Sequence, residues 1–450
     1  MAALEGITRV APQAARHRRS TKRRLIGAGA VATVAGIALT ATLVANADAA
    51  WTSTWNVTAS GWSGQDDPQV SIDRSGDALL AWAAMDNANS SYFRVQTRVK
   101  YANGTLGATR TLSPDGRAIS WVQADSDDTG DSSVVWQQDS TVVGRRVASS
   151  GSLVGSLQML STPGSPATTP SVAVTPGGSS MVAWTEIRDG SWYAVARRLK
   201  LDGTLGAVHT LGSGSAEPPA IGVDRNGQFV VAWVRGSEVV AKRMTATSIS
   251  AAKVLTTPIA AYGGFGMVRV GVDRDGDAVI SYRSGGGDRS QVWASRWSHT
   301  GTLSNPLRIS TSTENVDVHH TLGTDLDGDS MIVWVRNNAG KRELYGRKLS
   351  AGGTLGAITS LGAGDRPDLA LDDDGDGMLV SQTTTAISTP PYSVTKATAR
   401  LISRSGTFGS AKSLTTDGRV PQVAARPTAV FTTTWQQESY PYTIKAMTGP

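Results

Sequence analysis

Cysteine is absent from the 450 residues. That excludes a disulfide scaffold, a thiolate metal site and a cysteine nucleophile. Histidine occurs five times. His319-His320 are adjacent, but no third ligand stands near them in sequence, so a zinc centre is not expected. Also missing are a P-loop, a dinucleotide-binding fingerprint, a Gly-x-Ser-x-Gly elbow and an HExxH pair. Charged residues are sparse at 18%, yet branched aliphatics and Trp recur regularly, which excludes a disordered chain. No segment after residue 50 carries the 3.6-residue period of an amphipathic helix.

The net charge of +6 belongs to one end of the chain. Seven basic residues and two acids lie in residues 1–50, leaving 36 basic against 35 acidic residues in the other 400. A folded domain so close to neutral has no electrostatic footprint for nucleic acid. Residues 1–50 have the three parts of a signal peptide. A basic segment runs from Arg16 to Arg24, an apolar stretch from Leu25 to Ala45, and small-x-small sites follow at Ala45/Ala47 and Ala47/Ala49. The leader resembles those of high-GC Gram-positive bacteria. A secreted, extracellular address is expected, with no membrane contact once the leader is cleaved. The alternative is an uncleaved N-terminal membrane anchor with the folded part outside the cell.

After residue 60 the dominant signal is self-similarity. An anchor Trp recurs at positions 82, 136, 184, 233, 334 and 435, with Tyr282 and Ser381 on the two missing beats. Spacings run from 47 to 54 residues. Asp stands nine residues before the anchor in six copies, Gly six before it in seven, and Pro fourteen before it in five. Each unit reads as four strands: one alternating, one continuously apolar and so covered on both faces, one carrying a basic residue, and one brief. Asp-x-x-Gly joins the first two through a hairpin whose Gly takes positive φ. A Gly-Thr-Leu-Gly-like turn joins the last two. The expected fold is all-β. It is a β-propeller of about eight four-stranded blades, or seven with an edge hairpin, forming a single domain over 51–450. The last unit lacks its fourth strand, and Trp55-Asn56-Val57-Thr58 is an orphan strand upstream of the first. The N-terminal strand is expected to complete the last blade and close the ring. The anchor Trp residues are expected to pack between blades.

Three hairpins read Asp-x-Asp-Gly-Asp: Asp273, Asp275, Asp277; Asp325, Asp327, Asp329; and Asp372, Asp374, Asp376. Alternating carboxylates around a glycine turn are a possible calcium set. They resemble the calcium loops of integrin-type propellers and of EF-hands. They depart from both in the place of the glycine and in the lack of a downstream Glu. The alternative is a tight hairpin with solvated carboxylates. The hairpin Ser71–Gly76 is similar to the Asp box of sialidases, with its glycine one residue late, and no arginine triad accompanies it. The basic residues Arg98, Arg145, Arg197, Lys242, Arg296, Arg347 and Arg400 are expected to be solvated and paired with nearby acids.

By analogy with propellers at large, ligands meet the face built by the loops entering each first strand and by the second-to-third turns. That places Asp66, Asp67, His319, His320 and Arg366 at the mouth, with Arg188, Asp189, Trp192, Arg283 and Arg336 from the turns. Asp67, Arg188, Trp192, His319 and Arg366 are the candidate ligand-binding residues. No catalytic residue is assigned.

The unit Pro-x-Val-x-Val-Asp-x-x-Gly-Asp-x-x-x-x-Trp, best seen at Pro68–Trp82 and Pro219–Trp233, resembles repeats of secreted bacterial, actinobacterial-like propeller proteins of a largely uncharacterised family. The resemblance implies a fold and an extracellular address. The expected function is therefore a secreted, non-catalytic binding or scaffold propeller, monomeric, for a glycan, cell-wall polymer or protein surface. The alternatives are an extracellular polysaccharide hydrolase or lyase and a calcium-stabilised structural propeller.

Overall fold

The computed structural model describes residues 51–58, 65–85, 92–256, 268–285, 290–386, 388, 393–439 and 442–450. The leader lies outside the described residues. Among those described there is no helix, so none long and apolar enough to cross a membrane. The chain forms eight four-stranded antiparallel sheets. Blade one comprises Gln65–Ile72, Ala78–Met85, Phe93–Lys100 and Arg110–Thr111; blade two Ile119–Ser126, Ser132–Gln138, Thr141–Val147 and Leu153–Met159; blade three Ala167–Val174, Ser180–Arg188, Ser191–Leu199 and Leu205–Ser213. Blade four comprises Ala220–Val223, Phe229–Arg235, Glu238–Met244 and Lys253–Thr256; blade five Val268–Val272, Ala278–Ser284, Gln291–Trp297 and Leu307–Arg308; blade six Val316–Thr324, Ser330–Asn338, Lys341–Leu349 and Thr359–Ala363. Blade seven comprises Asp365–Leu371, Gly377–Ala386, Ser393–Ile402 and Lys412–Thr415. Blade eight takes Arg419–Arg426, Val430–Gln437 and Thr443–Gly449 from the C-terminus and Trp55–Asn56 from the far end of the chain.

The innermost strand of each blade touches those of its two neighbours, and blade eight returns to blade one, so the ring is an eight-bladed propeller. The seam is built as expected. Trp55 pairs with Ala446 and Asn56 with Lys445, and the Val57 N–H donates to Ile444 O at 2.9 Å.

The continuous apolarity of the second strands follows from the stacking. In Ala78–Met85, Leu79, Ala81 and Ala83 join a core with Val134 and Trp136 of blade two. Ala78, Leu80, Trp82 and Ala84 face the other way, into a core with Ile444 and Ala446 of blade eight. Both faces of one strand are therefore interior. The six anchor Trp are buried to 1% exposure or less, and each contributes roughly 2–3 kcal/mol by burial. Close to the axis the sheets converge, and side-chain volume must shrink. Gly222 of blade four sits where an added Cβ would lie 2.8 Å from Val272 of blade five.

The Asp-x-x-Gly motif serves two blades at once. Asp273 Oδ1 accepts the N–H groups of Asp275 and Asp277 at 2.9 and 2.8 Å, capping its own hairpin. Its Oδ2 lies 2.8 Å from where a Cβ would stand on Gly328 of blade six, at φ +88°. A side chain at Gly328 would thus be strained by its backbone and obstructed by its neighbour. Asp73 meets Gly130, Asp127 meets Gly178, Asp224 meets Gly276 and Asp325 meets Gly375 in the same way. At the seam Arg426 replaces the aspartate and donates to Ser75 O at 3.3 Å.

Four of the basic third-strand residues are staples, not solvated partners of acids. Arg197 donates through Nε to Gly206 O at 2.8 Å and through Nη1 to Leu160 O of blade two at 3.1 Å. Arg347 joins Gly356 O and Ile309 O, and Arg400 joins Gly409 O and Leu361 O. Arg98 does this across the seam, from Gly107 O to Val57 O. In blade five the position belongs to Ser295, whose hydroxyl lies 3.4 Å from Leu255 O of blade four. Arg296 is one residue out of register with the set to which sequence spacing assigned it.

Candidate functional site

The two ends of the channel differ. On the face carrying the Asp-x-x-Gly hairpins, the residue eight before the anchor reaches toward the axis. Asp373 of blade seven lies 3.2 Å from Arg74 Nη2 of blade one and 2.8 Å from Arg225 Nη2 of blade four. Arg74 Nε also pairs with Asp128 of blade two at 2.8 Å. Blades four and seven are not neighbours, so these ion pairs span the axis and form a floor.

The acidic hairpins on this face are turn caps. Asp325 Oδ1 accepts from the N–H groups of Asp327 and Asp329, and Asp372 Oδ1 from those of Asp374 and Asp376. The last carboxylate of each hairpin turns to the third strand of its own blade or the residues just after it: Asp277 to His299 at 2.7 Å, Asp329 to Lys348 at 2.6 Å, Asp376 to the Arg404 N–H at 2.8 Å. Asp327 pairs with Arg274. Among the described residues no group of three or more acidic or histidine side chains converges as a metal site. The expectation of a calcium set at Asp273, Asp275, Asp277 and their counterparts finds no such convergence.

The opposite face is the mouth. Here the innermost strands bulge, with register shifts at Asp66/Gln69, Ser120/Gln123, Thr168/Ser171, Val316/His320, Asp365/Asp368 and Arg419/Gln422. Five residues fifteen before their anchors take positive φ: Asp67, Trp121, Thr169, Arg366 and Val420, at 46–55°. Each such non-glycine residue costs on the order of 1 kcal/mol. The preceding acid caps the bend in two blades, where Asp66 accepts the Asp67 N–H and Asp365 the Arg366 N–H. His319 stands at the same position of blade six. Three of the sequence-assigned ligand residues thus share one ring of positions around the mouth.

An arc of alternating charge crosses blades four to seven at this mouth. Arg283, 9% exposed, lies in the fields of Asp317 and Glu217. Asp317 pairs with Arg342 Nε at 3.1 Å, and Arg342 Nη1 pairs with Asp365 at 2.5 Å. His319 Nδ1 lies 3.1 Å from the other Asp365 oxygen. Burial acts to raise the Asp365 carboxyl, but His319, the Arg366 N–H and Arg342 outweigh it and hold it at about 2. Arg366 is exposed, and its charge is felt by Asp67 of blade one.

Below the mouth, three carboxylates line the wall, each accepting an unpaired inner-edge N–H of the next blade. Asp67 accepts from Val122 at 3.1 Å, Asp125 from Val174 at 2.7 Å and Asp368 from Val423 at 2.9 Å. Burial pushes all three up to about 6, and the neighbouring Asp66 adds to the shift at Asp67. Arg269 of blade five, lowered by burial, lies in the field of Asp368. His320 is buried between blades five and six with Nε2 3.1 Å from Ser281 Oγ. Burial and the charges of Arg269, Arg283 and His319 push its pKa down to about 3, so it is neutral.

Arg188 and Trp192 do not join this site as free ligand groups. Arg188 Nε binds Glu186 Oε1 at 2.9 Å, and its guanidinium also meets Thr210 and the Tyr193 ring. Glu186 is fully buried and takes the Trp184 indole N–H at 3.0 Å. Arg188 completes that buried network. Trp192 is half-buried on the same hairpin, opposite Ile187. Asp189 takes positive φ in the turn beside Gly190. Arg336 lies 3.3 Å from the Tyr345 hydroxyl. Residue spacing missed Arg342, Asp365 and Asp317, because their meeting depends on which blades adjoin at the mouth. Asp365 had one signal: it holds the same repeat position as Asp66.

No protein-family model matches the chain, and no curated protein matches it. Among solved structures, an ulvan lyase bound to its saccharide is similar at 9% identity, with a TM-score of 0.48 over 85% of this chain and 94% of that one. A protein of unknown function from Dyadobacter fermentans gives 10% identity and a TM-score of 0.45, over 89% and 98% of the two chains. The polysaccharide lyase Uly1 gives 10% identity and a TM-score of 0.44, over 78% and 93%.

Proposed function

We propose that this eight-bladed propeller is a non-catalytic binding module of the cell exterior that takes a glycan or cell-wall polymer at the channel mouth. The observation that supports it is the arc from Arg283 through Asp317, Arg342 and Asp365 to His319. Fixed donors and acceptors alternate there, with Arg342 and His319 partly exposed and Arg283 and Asp365 largely buried behind them, the arrangement that vicinal hydroxyls require. The groups hold one another in place, so little is lost in ordering them on binding. Asp365, held at about 2 beside Arg342 and His319, is ionised and is no proton donor at neutral pH. Retention of the protein on insoluble cell-wall polysaccharide, lost by about tenfold or more in Arg342→Ala, is the expected result. Empty glycan arrays and no retention on cell walls would overturn the reading.

A second reading is a polysaccharide hydrolase or lyase. It is favoured by the separation of Asp67, raised to about 6, from Asp365, held at about 2, at one mouth. Environments that push two carboxyls apart mark acid and base roles. Asp67→Asn abolishing cleavage while leaving retention intact would support this reading; intact protein that cleaves no polysaccharide would exclude it.

A further inference from the structure

Blade five departs from the repeat at several positions, and three of them, Arg296, Trp297 and Ser304, line one cleft. Ser295 replaces the arginine staple, and Arg296 follows it. Trp297 stands where blades three, four and six place Leu199, Met244 and Leu349. Ser304 replaces the last glycine of the Gly-Thr-Leu-Gly turn. On the hairpin face, between blades five and six, a half-open cleft of about 150 Å³ is lined by Asp273, Asp277, Val279, Arg296, Trp297 and Thr302.

The equivalent cleft one junction earlier is filled from within. Arg243, in register with Arg296, crosses it to bind Gln228 Oε1, Gly276 O and Trp297 O, with its guanidinium 4.4 Å from the Trp297 ring centre. One junction later, Lys348 crosses to Arg404 O. Arg296 makes no such bridge: among the described residues its guanidinium has no hydrogen bond or ion pair. The cleft at this junction stays open, with a cation and two carboxylates on its walls.

We propose that this cleft binds a single neutral saccharide ring, at a site separate from the mouth. An anionic ligand would meet Asp273 and Asp277, and a cationic one would meet Arg296. A neutral polyol satisfies both, taking donors from the guanidinium and giving hydroxyl protons to carboxylate oxygens. Val279 and the small part of Trp297 that the blade-four core and the Arg243 guanidinium leave uncovered supply an apolar wall for the C–H groups of a sugar. The volume falls below the roughly 300 Å³ at which drug-sized pockets begin, which suits one ring rather than an oligosaccharide.

Saturation-transfer NMR on the full chain with D-glucose, D-galactose and D-mannose tests this, with D-glucuronate and D-glucosamine as charged comparators. At least one neutral hexose binds saturably and more tightly than either charged sugar. Binding falls about tenfold or more in Arg296→Ala and in Asp277→Asn, both on the cleft wall. The Arg296 guanidinium has no hydrogen bond or ion pair among the described residues to lose, and Asp277→Asn keeps an acceptor for the His299 N–H, so both variants keep a melting curve close to wild type. Arg342→Ala, at the mouth, retains the hexose. No saturable hexose binding, a stronger charged sugar, or binding unchanged in both cleft variants would overturn the proposal. Hexose binding lost in Arg342→Ala and kept in Arg296→Ala would assign it to the mouth and overturn the cleft.

Discussion

On the hairpin face, six of the eight junctions follow one rule: an aspartate or threonine nine residues before its anchor meets a glycine of the next hairpin. The other two involve Ala429, whose N–H donates to Asp372 Oδ2 at 3.0 Å, and Arg426 at the seam. On the mouth face the corresponding residues differ from blade to blade: Asp67, Trp121, Thr169, His319, Arg366, Val420. The first face is where the ring is joined and floored. The second is where blades five, six and seven bring together charges that no repeat rule provides. Repetition marks the scaffold, and its breakdown at the mouth is what the proposed ligand site rests on.

The largest break in this comparison comes from the seam. Removing residues 51–58 takes away the fourth strand of blade eight, the Val57 acceptor of Arg98 and the covering of Trp82. A loss of several kcal/mol is expected, seen as a collapse of the melting transition. Retention of native stability would mean that the ring does not need this strand. Next is Gly328→Ala, which forces a Cβ into positive φ and against Asp273. It should cost about 2–4 kcal/mol by denaturant melts, while leaving glycan retention by the folded protein unchanged. Loss of retention by folded variant would show that the two faces are coupled.

The channel wall gives a pH-dependent test. The folded Asp125 has a pKa of about 6 against 3.8 for the ordinary carboxyl. The folded state therefore holds this proton more tightly. The stability this adds is complete below about pH 3.8 and is lost as pH rises through 6. At neutral pH the ionised group is a cost. Asp125→Asn keeps the acceptor for the Val174 N–H and should raise stability at pH 7.5 by about 2 kcal/mol, discounted for channel water. The gain should vanish near pH 4. Paired melts of variant and wild type cancel the opposing contributions of His320 and Asp365.

A smaller contrast lies among the anchors. The Trp184 indole N–H is bonded to Glu186, whereas that of Trp136 has no hydrogen-bond partner among the described residues. Trp184→Phe should cost about 1–2 kcal/mol more than Trp136→Phe, because it strips a donor from a buried carboxylate. Equal losses in urea melts would show that the bond carries no weight. The smallest effect is expected from metal: EDTA should leave the melting temperature unmoved, and a marked drop would assign a calcium role to the acidic hairpins.

Much of the scaffold could be read from residue order because its causes are local or repeat at fixed offsets. Positive φ demands Gly328 and its counterparts, double-sided burial demands the apolar run at Ala78–Met85, and a missing fourth strand demands Trp55–Asn56. The mouth was half readable. Asp67, His319 and Arg366 follow from counting back from the anchors. Arg342 does not, because Asp317, on the first strand of its own blade, and Asp365, at the start of blade seven, reach it only once the strands have paired and the two sheets have stacked. Arg188 was assigned to a ligand because it stands at a second-to-third-strand turn on the mouth face. What holds it is Glu186, a carboxylate buried near the end of an otherwise largely apolar strand. Arg296 was grouped with the staples because a one-residue shift of register is invisible without the ladder.

The most direct test of the division between faces is a pulldown on insoluble cell-wall polysaccharide with three proteins of equal folded stability: wild type, Arg342→Ala at the mouth and Arg74→Ala at the floor. Retention by wild type and Arg74→Ala, with about tenfold loss in Arg342→Ala, is the predicted result. Retention that survives Arg342→Ala but is lost in Arg74→Ala would contradict it and place the ligand on the hairpin face.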